Sequence, residues 1–184
     1  MQLILIGGSQ RSGTTLLQTL LANALKAPVL PETHILSDIM AAYKRAKEFP
    51  QKTRFLYATD DDLLSFFQSF AKHHIADIVA RTGPTSALVL KDPNFIQVLD
   101  EAAVLFPESI RIVCLRDPRD IAASFVQIGQ RQAAGVKPGK YQKRDVRFIS
   151  NKILASYEPL LNAPLAENTV VMRYEDVASD AKSA

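Results

Sequence analysis

Sulfur is nearly missing from this chain: of 184 residues one is a cysteine, Cys114. An internal disulfide is therefore impossible, and nothing points to an oxidising compartment. No stretch reaches the ~20 consecutive apolar residues of a membrane-spanning helix. The opening run "LILI" is too short for a secretory signal and has no basic flank. Charge of one sign is also scarce, since 22 basic and 19 acidic residues leave a net charge of +3. That balance gives no ground for a nucleic-acid partner, yet it is compatible with a local anion site. Repeats and low-complexity tracts are absent too. The expectation is a soluble cytoplasmic protein of one domain, residues 1–184, long enough to bury a core.

One further absence says more. The stretch "ILIGGSQRSGTTLL", residues 4–17, sets four residues between Gly8 and Gly13, the glycine spacing of a nucleotide-phosphate loop. The triphosphate-hydrolysing version continues Gly-Lys-Ser/Thr, whereas this one continues Gly13-Thr14-Thr15. The lysine that grips the terminal phosphates is not there. Backbone N–H groups from Gly13 onward and the dipole of the next helix still attract an anion. Ser12, Thr14 and Thr15 add hydroxyls, and the forked guanidinium of Arg11 can hold oxygens bidentately. Phosphoryl transfer from a triphosphate usually needs a metal, and no strand ends in the apolar-run-then-lone-aspartate pattern that would hold one. Asp92 and Asp117 each precede a proline and read as helix caps. A sulfuryl group carries less charge than a phosphoryl group, so arginine and lysine can stabilise its transfer without metal. The loop therefore favours a sulfate donor.

Apolar runs at 2–6 and 86–90 read as buried strands, 110–115 and 169–173 as further strands, and 27–30 as a short candidate strand. Helical patterns cover Thr14–Lys26, 35–48, 61–82, Pro93 to about Phe106, the segment after Pro118, and 145–161. Residues 133–144, with two glycines, a proline and Lys137, Lys140, Lys143 and Arg144, read as a loop. Strand–helix alternation of this kind argues for an α/β domain on a parallel sheet. Right-handed crossovers then gather every strand's carboxyl end on one rim. The residues arriving there are the glycine loop, Glu32 and His34, Lys91, Arg116, and finally Arg173 to Asp176.

Three blocks now acquire a common meaning. "GGSQRSGTTLL" resembles the 5′-phosphosulfate loop of sulfotransferases that use 3′-phosphoadenosine 5′-phosphosulfate. "LRDPRDIAASF" resembles their 3′-phosphate block, and "VVMRYEDV" a strand segment further along. "PETHI" and "LKDPNF" look closest to the branch of tyrosylprotein sulfotransferases and their bacterial relatives. The likeness runs from about residue 3 to residue 177. It implies a three-layer, P-loop-like fold and metal-independent transfer of a sulfuryl group to an acceptor hydroxyl, phenol or amine. Carried onto matching positions, it gives Arg11, Ser12, Gly13, Thr14 and Thr15 the 5′-phosphosulfate, and Arg116 and Ser124 the 3′-phosphate. It makes Glu32 the base that takes the acceptor's proton. Lys91 becomes a partner of Arg11 in stabilising the transferring group. Family members continue past the counterpart of "RYEDVASD" with a C-terminal segment that closes over the nucleotide, so the expectation is a fragment or a minimal variant that lacks it.

Blander readings exist for each residue. Glu32 could be a capping or salt-bridging carboxylate, and His34 is a rival base. Ser124 could be a small packing residue and Lys91 a solvent-facing strand end. His73 and His74 have no ligand-like partners and read as ordinary helix residues. The Lys137–Arg144 cluster suits an acidic acceptor, or simply solvent. Two other functions fit parts of the pattern: a nucleotide kinase or related NTPase, and a truncated, non-catalytic nucleotide-binding module. Acceptor identity and oligomeric state are not encoded in any motif.

Overall fold

Strands without polar alternation demand cover on both faces; the fold supplies it for the strands at Gln2–Gly8 and Ala87–Lys91 and for most of Ile110–Leu115, while Thr169–Arg173 stays largely exposed. The computed structural model describes residues 1–134, 145–162 and 164–180. Four strands, β1 (Gln2–Gly8), β2 (Ala87–Lys91), β3 (Ile110–Leu115) and β4 (Thr169–Arg173), form one parallel sheet in the order β2-β1-β3-β4. Ile4 of β1 sits opposite Val89 on one side and Ile110 on the other.

The helices are α1 (Thr14–Ala24), α2 (His34–Glu48), the short α3 (Pro50–Thr53), α4 (Asp60–Thr82), α5 (Leu99–Leu105), α6 (Pro118–Ala133), α7 (Val146–Asn162) and α8 (Tyr174–Asp180). Side chains alternate across the pleat. Leu3, Leu5, Leu88 and Leu90 therefore pack on Leu36 and Met40 of α2, Phe67 of α4 and Leu105 of α5. Ile4, Ile6, Val89, Ile112 and Cys114 face the opposite way, onto Leu17 of α1 and Val177 of α8. Val113 returns to the first face, against Leu160 of α7. The result is a three-layer α/β architecture with helices on both sides of the sheet.

Local chemistry sets the ends of these elements. Helix α4 begins in a capping box: Thr59 Oγ1 accepts from the Asp62 N–H at 3.0 Å, and the Asp62 carboxylate accepts from the Thr59 N–H at 3.0 Å. The sequence-based helix from Pro93 to Phe106 is in fact two pieces. A 3₁₀ turn at Pro93–Gln97 ends at Val98 (φ −136°) before α5 begins. That turn lies tight against β1, where a Cβ on Gly7 would stand 2.7 Å from the Ile96 nitrogen. Only glycine allows the approach.

The expected strand at 27–30 does not form. Residues 27–30 adopt no regular secondary structure and pair with no strand. The buried Gln18 side chain of α1 donates to the Leu30 carbonyl at 3.0 Å and to the Val89 carbonyl at 3.2 Å. A side-chain amide thus does for this segment what a neighbouring strand would have done. Glu32 and His34 still reach the rim, from a loop and the first turn of α2 rather than from a strand end.

Strand order places the connections after β1 and β3 on opposite courses, one toward β2 and the other toward β4. The crevice at the carboxyl ends of those two strands is where sheets of this type take ligands.

Candidate active site

The loop after β1 bends through two left-handed residues, Arg11 (φ 73°) and Gly13 (φ 96°). For arginine that conformation is uncommon and strained. The Ser12 N–H donates to the Ser9 carbonyl at 3.0 Å, and the Leu17 N–H to the Gly13 carbonyl at 3.1 Å. Gly13 is obligatory here on two counts, because an added Cβ would fall 2.2 Å from the Tyr174 ring. Cys114 donates its thiol hydrogen to the Ser12 carbonyl at 3.1 Å. Burial pushes that thiol up to about 11, so it is a neutral prop rather than a nucleophile.

Strand β3 delivers Arg116. Its backbone N–H donates to the Tyr157 hydroxyl at 3.2 Å, and Nη1 donates to the Arg11 carbonyl at 3.1 Å. Its guanidinium carbon sits 4.3 Å over the Tyr174 ring, a cation–π contact that fixes the plane of the fork. Arg11 Nε donates to Ser124 Oγ, on α6, at 3.0 Å. Neither arginine faces a carboxylate within ion-pair range among the described residues. Arg116 Nε and Ser12 Oγ are buried without a hydrogen-bond partner there. Below them, Glu175 Oε1 accepts from the Asp117 N–H at 2.8 Å, which holds the Glu175 carboxyl below its usual value. The Asp117 carboxyl is drawn down to about 2, chiefly by hydrogen bonds from Arg119. Its Oδ1 accepts from the Arg119 N–H at 2.8 Å, the cap expected from the sequence.

The β2 side is built differently. Lys91 is almost buried, and its ammonium donates to Thr15 Oγ1 at 3.2 Å and to Glu32 Oε1. A buried ammonium of this kind requires such a partner. Asp92 is fully buried; Oδ1 caps the 3₁₀ turn by accepting from the Asn94 N–H at 2.9 Å. Asp92 Oδ2 meets the Ser37 hydroxyl, and lies 3.1 Å from His34 Nδ1. The other ring nitrogen, Nε2, is 3.9 Å from Glu32 Oε2.

A cavity of about 390 Å³ opens between the two sides, lined by Arg11, Gly13, Thr14, Thr15, Glu32 and Arg116, with Tyr174 at its floor. Of the other residues expected from the sequence, Ser124 backs Arg11, and Lys91 backs Thr15 and Glu32. Ser12 is buried within the loop. His73 and His74 lie on α4, and Lys137, Lys140, Lys143 and Arg144 fall outside the described residues. Sequence reasoning brought Tyr174 to the rim but missed its contacts with Gly13 and Arg116, and it missed the second oxygen of Asp92. Tyr174 carried no spacing signal of its own; Asp92 had been spent on capping. A larger groove of about 850 Å³ lies beyond Arg116, walled by Leu115, Ala122, Ile153 and Tyr157. Its apolar walls contain none of the acid–base pairs, so the smaller, polar cavity is the candidate site. Unpaired arginines, an orphaned guanidinium N–H and loop amides fit a ligand bearing phosphate and sulfonate. Among the described residues no cluster of three or more His, Cys, Asp or Glu side chains could hold a metal ion.

The family model and the curated relatives point to one group. A model of the sulfotransferase family matches residues 3–184. Protein-tyrosine sulfotransferase 1 of Danio rerio is 32% identical over 130 residues, covering 68% of this chain and 36% of that protein. The Homo sapiens protein of the same name is also 32% identical over 130 residues, with 68% and 34% covered. The chain thus spans about a third of the length of the curated relatives it matches. Among solved structures, the sulfotransferase domain from the curacin biosynthetic pathway superposes with a TM-score of 0.60 at 20% identity, over 99% of this chain and 70% of that one. The sulfotransferase domain of the Synechococcus PCC 7002 olefin synthase gives 0.58 at 18% identity, over 99% and 69%. At such identities these two likenesses speak to the fold.

Proposed function

The chain belongs to the sulfotransferase family, and from that premise we propose that it transfers a sulfuryl group from 3′-phosphoadenosine 5′-phosphosulfate to an acceptor hydroxyl or phenol. The observation that carries this reading is the unpaired state of Arg11 and Arg116 beside the Gly13–Thr15 amides, opposite a carboxylate already bound to lysine. The loop amides, Thr14, Thr15 and Arg11 bind the 5′-phosphosulfate, with Ser12 buried behind them. Arg116 and Ser124 bind the 3′-phosphate. Ser124 holds Arg11 at 3.0 Å, so the two phosphate sites are adjacent and share a contact.

In the reaction Glu32 accepts the acceptor's proton as its oxygen attacks sulfur. Lys91, hydrogen-bonded to both Glu32 and Thr15, can move its donor bonds toward the transferring group as Glu32 becomes neutral. Electrostatic stabilisation of this sort commonly supplies the largest share of such rate enhancements. No role in this scheme calls for the missing loop lysine or for a metal.

Calorimetry tests the reading directly. Adenosine 3′,5′-bisphosphate should bind the purified chain, while ATP with Mg²⁺ should bind far more weakly and remain intact. Binding and hydrolysis of the magnesium triphosphate, with indifference to the bisphosphate, would overturn the proposal. Tight bisphosphate binding without turnover of any phenol or alcohol would instead leave a nucleotide-binding module.

A further inference from the structure

Asp92 does more than cap the turn after β2. Its carboxylate is fully buried, and an ionised carboxylate only accepts hydrogen bonds. Oδ1 takes the Asn94 N–H. Oδ2 is reached by the Ser37 hydroxyl and by His34 Nδ1. The Ser37 hydroxyl also lies 2.8 Å from the His34 carbonyl, which ties the first turn of α2 to the same carboxylate. Where Oδ2 is the acceptor of this contact, His34 carries its hydrogen on Nδ1 and the neutral ring presents the lone pair of Nε2. That lone pair lies 3.9 Å from Glu32 Oε2, while Lys91 occupies the other Glu32 oxygen. The charged groups facing the imidazole are therefore Asp92 on one edge and Glu32, backed by Lys91, on the other. His34 itself is more than half exposed.

From this chain of contacts we propose that Asp92 positions His34 as a proton carrier that empties Glu32 after each transfer. The proposal rests on the sulfuryl-transfer reading above. The acceptor oxygen forms its bond to sulfur as the bond from sulfur to the nucleotide's phosphate oxygen breaks, and that electron pair leaves with the nucleotide. The acceptor proton moves to Glu32 Oε2. A side-chain rotation closing 3.9 Å to hydrogen-bond distance passes it to His34 Nε2, whose positive charge is balanced by Asp92. From the exposed ring it reaches solvent. Glu32, tied to Lys91 and 41% exposed, regains its charge without having to leave the site. His34 acts through Glu32, and Asp92 acts through His34. Neither is assigned contact with the transferred group.

Two measurements on the full chain decide the matter. The first is long-range ¹H–¹⁵N correlation spectroscopy with labelled histidine, using His34→Gln to assign the His34 signals among the three histidines. Neutral His34 should be the Nδ1–H tautomer, and Asp92→Asn should abolish that preference. An Nε2–H tautomer in the parent protein overturns the placement. The second compares two acceptors, phenol and 4-nitrophenol, at a pH where the latter is already ionised. His34→Gln should slow kcat for phenol by roughly tenfold, leave 4-nitrophenol unchanged, and leave adenosine 3′,5′-bisphosphate affinity unchanged by calorimetry. Equal losses for both phenols would make His34 merely structural. A parent protein that ignores the bisphosphate sinks the sulfuryl-transfer reading, and the tautomer then judges the Asp92–His34 placement by itself.

Discussion

The two flanks of β1 handle charge in opposite ways. Toward β3, Arg11 and Arg116 bond to a hydroxyl, a carbonyl and an aromatic face, and among the described residues no carboxylate lies within ion-pair distance of either. Toward β2, the carboxylates already have partners: Glu32 meets the Lys91 ammonium, and Asp92 meets the His34 imidazole. A cluster with spare positive charge waits for an anionic ligand. A cluster whose acids and bases already touch one another has partners at hand between which a proton can pass. One flank is built to bind and the other to react, and substitutions should separate the two.

The largest separation comes from Glu32→Gln. It keeps the size of the side chain and an oxygen for Lys91 while removing the base. Turnover with phenol should fall by about 10²- to 10⁴-fold, with nucleotide affinity retained. Loss of affinity in place of rate would merge the two flanks and return Glu32 to a structural role. Next is Arg116→Ala on the binding flank. Charge-assisted bonds contribute about 1.5–3 kcal/mol each, so adenosine 3′,5′-bisphosphate should bind roughly 10- to 100-fold more weakly. Adenosine 5′-phosphate should be much less affected, and equal losses would remove Arg116 from the 3′-phosphate role.

A smaller effect sharpens the boundary between them. Gly13→Ala strains a left-handed residue by about 1–2 kcal/mol and drives a methyl group into Tyr174. Thermal unfolding should drop by several degrees. Adding Tyr174→Ala should recover part of the loss if the ring is the obstacle; full additivity would place the cost in the backbone alone. The smallest effect is acid-dependent. Glu175 is held below the ordinary glutamate value of 4.5, so its contribution to stability is present above that value. It disappears as pH falls through the lowered folded value. The gap in melting temperature between the parent and Glu175→Gln should therefore be full at neutral pH and close in acid. A gap that widened in acid would contradict the Asp117 N–H bond.

Much of this was legible in the sequence because the signals were local. Runs such as "IRIVCL" and "TVVMR" became β3 and β4 with the expected bounds, since continuous apolar residues have few other stable fates. The glycine loop, Lys91 and Arg116 converge as the strand-end reading required, and Glu32 joins them from a loop. Non-local features were not legible. Nothing in "APVL" reveals that Gln18 would satisfy its backbone and make a fifth strand unnecessary. Val98 gives no hint of the break that divides the expected helix, which follows from Gly7 lying beneath it. The stacking of Tyr174 on both Gly13 and Arg116 joins residues from three strand ends, and no spacing rule reaches that far.

That stacking has a consequence for how the molecule is made. A nascent chain displays its glycine loop before β2 and β3 exist, yet the ring that seats it arrives only with residue 174, after both. Until then the loop lacks that contact, and Arg116, once made, lacks the surface that aims it. Competence to hold a nucleotide should therefore appear abruptly on the ribosome, only after the central strands are all made.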